Sequence, residues 1–114
     1  MTRAEWDALT SREKDAVVAE KVVGWPPMPV GVPGVGYRPR YTESWDAMRE
    51  VVEKMVSLDY GVALDGGSYD GTGVFGWECA FCPHGEEAFP DEAPTAPEAV
   101  CIAALAALGH MEAA

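Results

Sequence analysis

The second half of this sequence contains no basic residue. Residues 55–114 hold ten acidic side chains and neither lysine nor arginine, whereas residues 1–54 hold all eight basic residues against nine acidic ones. The two halves therefore carry formal charges of −10 and −1, which together give the net −11 of the chain. An acidic field of this size repels nucleic acid and attracts basic protein surfaces, so we expect no direct nucleic-acid binding.

Long apolar runs and cysteines are also scarce. The apolar run at residues 99–108 has ten members, half of the about 20 that a membrane-spanning helix needs. The first ten residues contain no apolar run of the length found in signal peptides. We therefore expect a cytoplasmic protein without membrane contact. Three cysteines, an odd number, argue against a framework of disulfides.

The most apolar stretch, TAPEAVCIAALAAL at residues 95–108, predicts a helix with both ends encoded. Thr95 and Glu98 have the spacing of a capping box, and Gly109 suits the left-handed position after the last turn. A helix that is apolar all round must be buried on more than one side. Its cover comes either from the same chain or from a second copy.

Two further helices are expected. Capping-box spacings at Thr2 and Thr10 predict helix over residues 3–23, in two pieces or one, ended by Gly24. Asp15 is assigned to the polar side of this helix. Thr42 is predicted to cap a helix over residues 42–58. The buried stripe of this second helix is predicted to contain Trp45, Met48, Val51, Val52, Met55 and Val56.

Strand patterns occupy residues 60–64 and 74–82 and predict an antiparallel hairpin. Residues 83–94 are predicted to form a loop that leads to the last helix. In the second strand Phe75, Trp77, Cys79 and Phe81 alternate with small residues and Glu78, so one face is large and apolar and the other is small. We predict one α+β domain over residues 1–114, with helices on both faces of a small antiparallel sheet, an α/β/α sandwich. Two strands make a thin sheet. A further strand is expected from residues 34–41 or from another subunit. We therefore also expect the protein to self-associate.

Four blocks of this chain resemble the phage ABA sandwich domain family, small bacteriophage and prophage proteins of uncharacterised function. The blocks are DAVVAEKVVGW (15–25), YRPRYT (37–42) leading into SWDAMREVVEKM (44–55), WECAF (77–81) and TAPEAVCIAALAAL (95–108). The resemblance implies a sheet between helices in a protein of the bacterial host cytoplasm, and it implies no activity. WECAFCPH and the proline-rich loop at residues 25–40 depart from the family pattern.

That loop ends in the cationic and aromatic cluster of the sequence. Tyr37, Arg38, Arg40 and Tyr41 offer guanidinium groups for phosphate and aromatic faces for a base, just before a helix N-terminus. Trp25, at the other end of the loop, adds a stacking surface. We predict a binding site for a small anionic ligand here. The alternative is that the tyrosines pack on the sheet and the arginines pair with nearby carboxylates.

Metal and cofactor sites have weaker support. Cys79, Cys82 and His84 have half of a zinc-knuckle spacing, with Cys101 or His110 as a possible fourth ligand. Strand positions three apart point to opposite faces, however. We expect inert cysteines and no cofactor, with zinc as the alternative. The glycines of GTGVFG match a dinucleotide motif in a strand context that does not suit it.

No nucleophile and base stand at a recognisable motif spacing, so we expect no enzyme. Two functions of different class remain. The first is a phage accessory protein that binds a small anionic ligand, by analogy with phage proteins that sequester a host nucleotide immune signal as counter-defence. The second is an acidic protein-binding module, or a DNA mimic, that occupies a basic surface of a host protein.

Overall fold

The computed structural model describes residues 1–25, 39–67, 76–83 and 86–112. Its elements are helices α1 (Arg3–Asp7), α2 (Ser11–Val18), α3 (Trp45–Ser57) and α4 (Ala96–Ala107), and strands β1 (Tyr60–Gly67), β2 (Gly76–Pro83) and β3 (Asp91–Ala93). α2 continues into a π-helical turn, Ala19–Val23. The single α+β domain with a small antiparallel sheet is confirmed.

The two N-terminal capping boxes form as predicted. Thr2 Oγ1 accepts from the Glu5 backbone N–H at 3.1 Å while Glu5 Oε1 accepts from the Thr2 N–H at 2.9 Å, and Thr10 and Glu13 repeat the arrangement. The hydrogen bonds from the Thr2 and Thr10 backbones lower the pKa of Glu5 and Glu13. α1 and α2 are separate helices, and the π turn that continues α2 is followed by Gly24 with φ +96°, a conformation that glycine adopts readily.

α3 begins three residues later than predicted. Ser44, not Thr42, is its N-cap, with Ser44 Oγ accepting from the Ala47 N–H at 3.3 Å. Met48, Val51 and Met55 are buried as expected. Trp45 and Val56 were predicted in the same stripe but are 55% and 53% exposed. They lie in the first and the last turn of α3.

The sheet has the order β1-β2-β3, with both neighbouring pairs antiparallel. β1 extends three residues beyond its predicted end. The third strand comes from residues 91–93, which were predicted as loop. Residues 39–41 are not strand, and residues 34–38 of the predicted source lie outside the described residues, as do 74–75 of the predicted second strand. Gly66 is required in β1 because a Cβ there would lie 2.8 Å from the ring of Trp77.

The two faces of the sheet have different neighbours. Cys79 and Phe81 of β2 are buried in the core with α4, and Trp77 on the same face meets Trp45 of α3 edge-on, with ring centroids 5.5 Å apart. We call this the covered face. The described contacts between helices and sheet that can be assigned to a face lie here, including the hydrogen bond that the Tyr60 hydroxyl donates to Ala107 O at 3.3 Å.

α4 is the most deeply buried element. Nine of its residues are buried, and the sheet, α3, the π turn and Trp6 of α1 supply its cover within one chain. Its burial therefore gives no reason to invoke a second copy. The predicted capping box at Thr95 does not form, since the Thr95 side chain makes no capping hydrogen bond. Glu98 instead accepts from Trp6 Nε1 at 3.2 Å and from Lys14 Nζ at 2.7 Å.

Candidate functional site

Tyr41, a predicted ligand-binding residue, lies in the core with no exposed surface. Its hydroxyl donates to Glu50 Oε2 of α3 at 2.9 Å and hydrogen-bonds to the side chain of Trp25. Its backbone carbonyl accepts from Cys101 Sγ of α4 at 3.3 Å. Burial and the neighbouring Glu50 carboxylate raise the pKa of Tyr41. The ring ties the chain to two helices and offers no face for stacking.

Asp15 holds Thr42, the residue after Tyr41, in place. This role was not predicted from the sequence. We assigned Asp15 to the polar side of its helix, but it is only 2% exposed. Its Oδ1 accepts from the Thr42 backbone N–H at 3.0 Å and from Thr42 Oγ1 at 2.9 Å. A buried carboxylate with two donors anchors the turn before α3. The only sequence signal is that Thr42 stands two residues ahead of a better cap, Ser44.

Arg40 is the described member of the predicted cluster that remains accessible. Its side chain is 59% exposed and pairs with Glu43 Oε2 at 3.3 Å. A shallow depression of about 360 Å³ beside it is lined by Arg40 and by two acidic residues, Asp46 and Glu50. Trp25 is partly buried against the core. Tyr37 and Arg38 lie outside the described residues, so the structure brings together only Trp25 and Tyr41.

The cysteines of the zinc alternative lie on opposite faces of β2. Cys79 is buried in the covered face, and burial, with Asp91 and Cys82 nearby, raises the pKa of its thiol to about 12. Cys82 faces the other side, where it lines a surface cavity. His84 lies outside the described residues. Within the ranges the structure describes, no three histidine, cysteine or acidic side chains are grouped to hold a metal ion.

The opposite face of the sheet, which we call the open face, is built from small and acidic residues. Its described members on β1, β2 and β3 are Gly61, Ala63, Asp65, Gly67, Gly76, Glu78, Ala80, Cys82 and Glu92. The segment at residues 86–90 runs beside it and closes one wall of a cavity of about 290 Å³, whose lining includes Ala63, Ala80, Glu86 and Glu87.

Three carboxylates form a row across the open face. Asp65 of β1 lies directly opposite Glu78 of β2, and Glu78 lies directly opposite Glu92 of β3. Directly opposite side chains have Cβ atoms about 4.5–5.5 Å apart, and like charges in such pairs destabilise a sheet. We call Asp65, Glu78 and Glu92 the acidic row.

The acidic row lies in the half of the chain that has no lysine or arginine. Asp65 and Glu92 of the row are exposed and Glu78 is partly buried, whereas Ala80 on the same face is buried. Such a surface can bind ammonium or guanidinium groups. The alternation in β2 was sufficient to place Glu78 on this face, but Glu92 was missed because its segment was predicted as loop.

Comparison with known proteins supports the fold. The chain is similar to a crystal structure described as a phage protein from Bacillus cereus ATCC 14579, with a TM-score of 0.68, 23% sequence identity and 89% of each chain covered. No protein-family model matches the chain, and no curated protein matches it. At this identity the likeness shows a shared α+β fold. The resemblance to the ABA sandwich family stays a prediction.

No helix within residues 1–25, 39–67, 76–83 and 86–112 is both long and apolar enough to cross a bilayer.

Proposed function

We propose that this protein is a non-catalytic binding module whose open face takes a basic surface of another protein. The acidic row carries the proposal, because like charges directly opposite each other, as those of Glu78 and Glu92 are, cost folding free energy. Residues that lower stability in this way are typical of functional surfaces. A partner that supplies lysine or arginine side chains would remove this repulsion on binding.

The shape of the open face supports a protein partner. Asp65 and Glu92 are exposed at the two sides of the row, so a partner can place cationic side chains along it. Glu86 and Glu87 extend the acidic surface along the cavity wall. Complementary charge of this kind speeds association and selects partners, and its effect weakens as salt screens it.

The biological source and the cellular location of the protein are part of the same proposal. Because the structural neighbour is described as a phage protein, we propose that this chain is a phage accessory protein acting in the cytoplasm of a bacterial host. Its partner is then a host protein with a basic surface. If that surface normally grips DNA, the acidic face acts as a DNA mimic.

The role of the acidic row is tested by removing two of its charges and comparing peptide binding with that of a variant in which two charges are removed from another surface. Glu78→Gln with Glu92→Gln is expected to weaken binding of a fluorescein-labelled lysine- and arginine-rich peptide about tenfold, equivalent to about 1.4 kcal/mol. Asp46→Asn with Glu53→Gln on α3 changes net charge equally and is expected to weaken it about twofold or less. Fluorescence anisotropy at two salt concentrations gives both values.

The same variant tests how much the acidic row lowers the free energy of unfolding. Removing two of its charges is expected to raise the free energy of unfolding by about 0.5–1 kcal/mol, because the repulsion across the strands is lost. Urea unfolding of the row variant and the α3 variant measures the difference. Equal loss of peptide binding in the two variants would mean that net charge alone attracts the peptide, and the open face would not be the site.

The second candidate remains a small anionic ligand, including a nucleotide immune signal, bound through Arg38 and Arg40. The exposure of Arg40 favours it, and the acids Glu43, Asp46 and Glu50 around Arg40 oppose it. Thermal shift against cyclic and linear nucleotides tests this candidate. Arg38→Ala with Arg40→Ala is expected to abolish any shift, and a shift that survives in this variant would exclude the site.

A further inference from the structure

The outer edge of β1 is open to another strand. In the residues that the structure describes, β1 pairs with β2 along its whole length and no strand pairs with its other side. Five of its eight residues are exposed, including Val62 at 43%. Edge strands of this length are commonly protected by lysine, proline or a bulge. β1 contains neither residue, and its pairing with β2 is continuous.

The backbone groups on this edge can be assigned from one proline. Pro83 pairs with Tyr60 and has no N–H to donate, so this pair cannot be one that exchanges two hydrogen bonds. Hydrogen-bonded and non-hydrogen-bonded pairs alternate along an antiparallel ladder. The N–H and C=O groups of Val62 and Leu64 therefore point away from β2, whereas those of Gly61 and Ala63 point toward it.

The side chains of β1 are complementary to those of an identical strand. A two-fold axis through Ala63 places Val62 opposite Leu64 of a second copy, and Leu64 opposite Val62. Both residues lie on the covered face, where Val62 is still 43% exposed. In the same register Asp65, the one charge on the strand, lies opposite Gly61 of the second copy, so like charges do not meet.

We propose that two copies of this chain pair antiparallel through β1, with the two-fold axis at Ala63, to form one six-stranded sheet. The contact is isologous, and it satisfies the outward donors and acceptors of Val62 and Leu64 in both copies. A rotation about an axis perpendicular to the sheet keeps both open faces on the same side. The dimer then presents two acidic rows on one continuous surface.

Amide hydrogen exchange tests the register directly. At a protein concentration where nine tenths of the chains are paired, the Val62 and Leu64 amides are expected to exchange about tenfold more slowly than in dilute protein. The Gly61 and Ala63 amides bond within the chain and should exchange at the same rate in both. Sedimentation gives the paired fraction. A monomer at all concentrations, or a dimer with rapidly exchanging Val62 and Leu64 amides, would overturn the proposal.

A charge on the edge provides the second test. Val62→Lys is expected to sediment as a folded monomer at the concentration where the parent is a dimer, because an ammonium group would be placed in the strand contact. Phe89→Lys adds the same charge at a side chain that is 96% exposed, and it should remain a dimer. Each substitution lowers the net negative charge and thus the repulsion between copies. Loss of pairing in Val62→Lys alone is therefore due to the edge.

The salt dependence of association distinguishes this proposal from the proposed function. Pairing between two chains of net charge −11 is expected to strengthen as salt screens their repulsion, whereas binding of a basic partner should weaken. A dimer that dissociates in high salt would contradict pairing through the uncharged edge. The Glu78→Gln with Glu92→Gln variant should still dimerise, so either proposal can fail without the other.

Discussion

The two faces of β2 have the same backbone and different physical roles. Toward α4, Cys79 and Phe81 are 0% and 2% exposed and belong to the core. Toward the other side, Glu78 and Cys82 are only partly buried, and Glu78 faces a carboxylate on each neighbouring strand. One face lowers the free energy of the fold by burying apolar surface, and the other raises it by placing like charges together. This difference is the reason for proposing the open face as the binding surface.

The largest loss of stability on the covered face is expected from Ala104→Glu. Ala104 has no exposed surface, so the substitution places a charge with no described cation beside it in the apolar interior, which costs several kcal/mol. We expect an unfolded chain by circular dichroism. A folded protein of altered oligomeric state would instead show that α4 is covered by a second subunit, and Glu53→Ala on the exposed side of α3 serves as the control.

A smaller effect is expected from Phe81→Ala, which is matched by Cys82→Ala on the next residue. Removing the buried ring should lower the free energy of unfolding by about 3–4 kcal/mol through lost burial and a cavity. Removing the Cys82 thiol from the open face should change it by less than about 0.5 kcal/mol. Urea unfolding measures both. Equal losses would mean that both faces of β2 are packed.

The smallest effect concerns Asp91, a half-buried carboxyl group beside Cys79 at the edge of the covered face. Burial raises its pKa above the ordinary 3.8, and Arg3 opposes this in part. A raised folded-state pKa means that the ionised group destabilises the fold above that pKa, and that stability is regained as pH falls through it. Asp91→Asn should therefore stabilise the protein at pH 7, by under about 1 kcal/mol after solvent screening.

The pH dependence checks the cause. Below about pH 3.8 Asp91 is protonated in both folded and unfolded chains, so the gain from Asp91→Asn is expected to disappear there. Thermal unfolding of parent and variant at the two pH values measures it. A gain of equal size at low pH would point to packing or hydrogen bonding of the amide instead of charge.

Local sequence rules predicted what depends on neighbours along the chain. The boxes at Thr2 and Thr10 formed because each needs only a partner three residues away. The same spacing failed at Thr95 because Glu98 binds Trp6 and Lys14, which are distant in sequence. The sequence correctly predicted the α+β class, helix α4, and the large and small sides of β2, because the pattern of apolar residues alone determines them.

The candidate site was less predictable because it depends on strand register. The acidic row requires knowing that Asp65, Glu78 and Glu92 lie opposite one another, and β3 itself was predicted as loop. Tyr41 looked like a ligand-binding residue because arginine and tyrosine alternate around it. Its burial depends on Asp15, Glu50 and Cys101, which converge only after three helices have packed.

The absence of basic residues after Lys54 has a practical consequence for detecting this protein. Trypsin cleaves after lysine and arginine, so it has a site at Lys54 within α3 and none in residues 55–114, which stay together with the sheet and α4. Tryptic digestion would therefore give short peptides only from residues 1–54. A protease that cleaves at acidic residues would release short peptides from the sheet, including the segments that carry the acidic row.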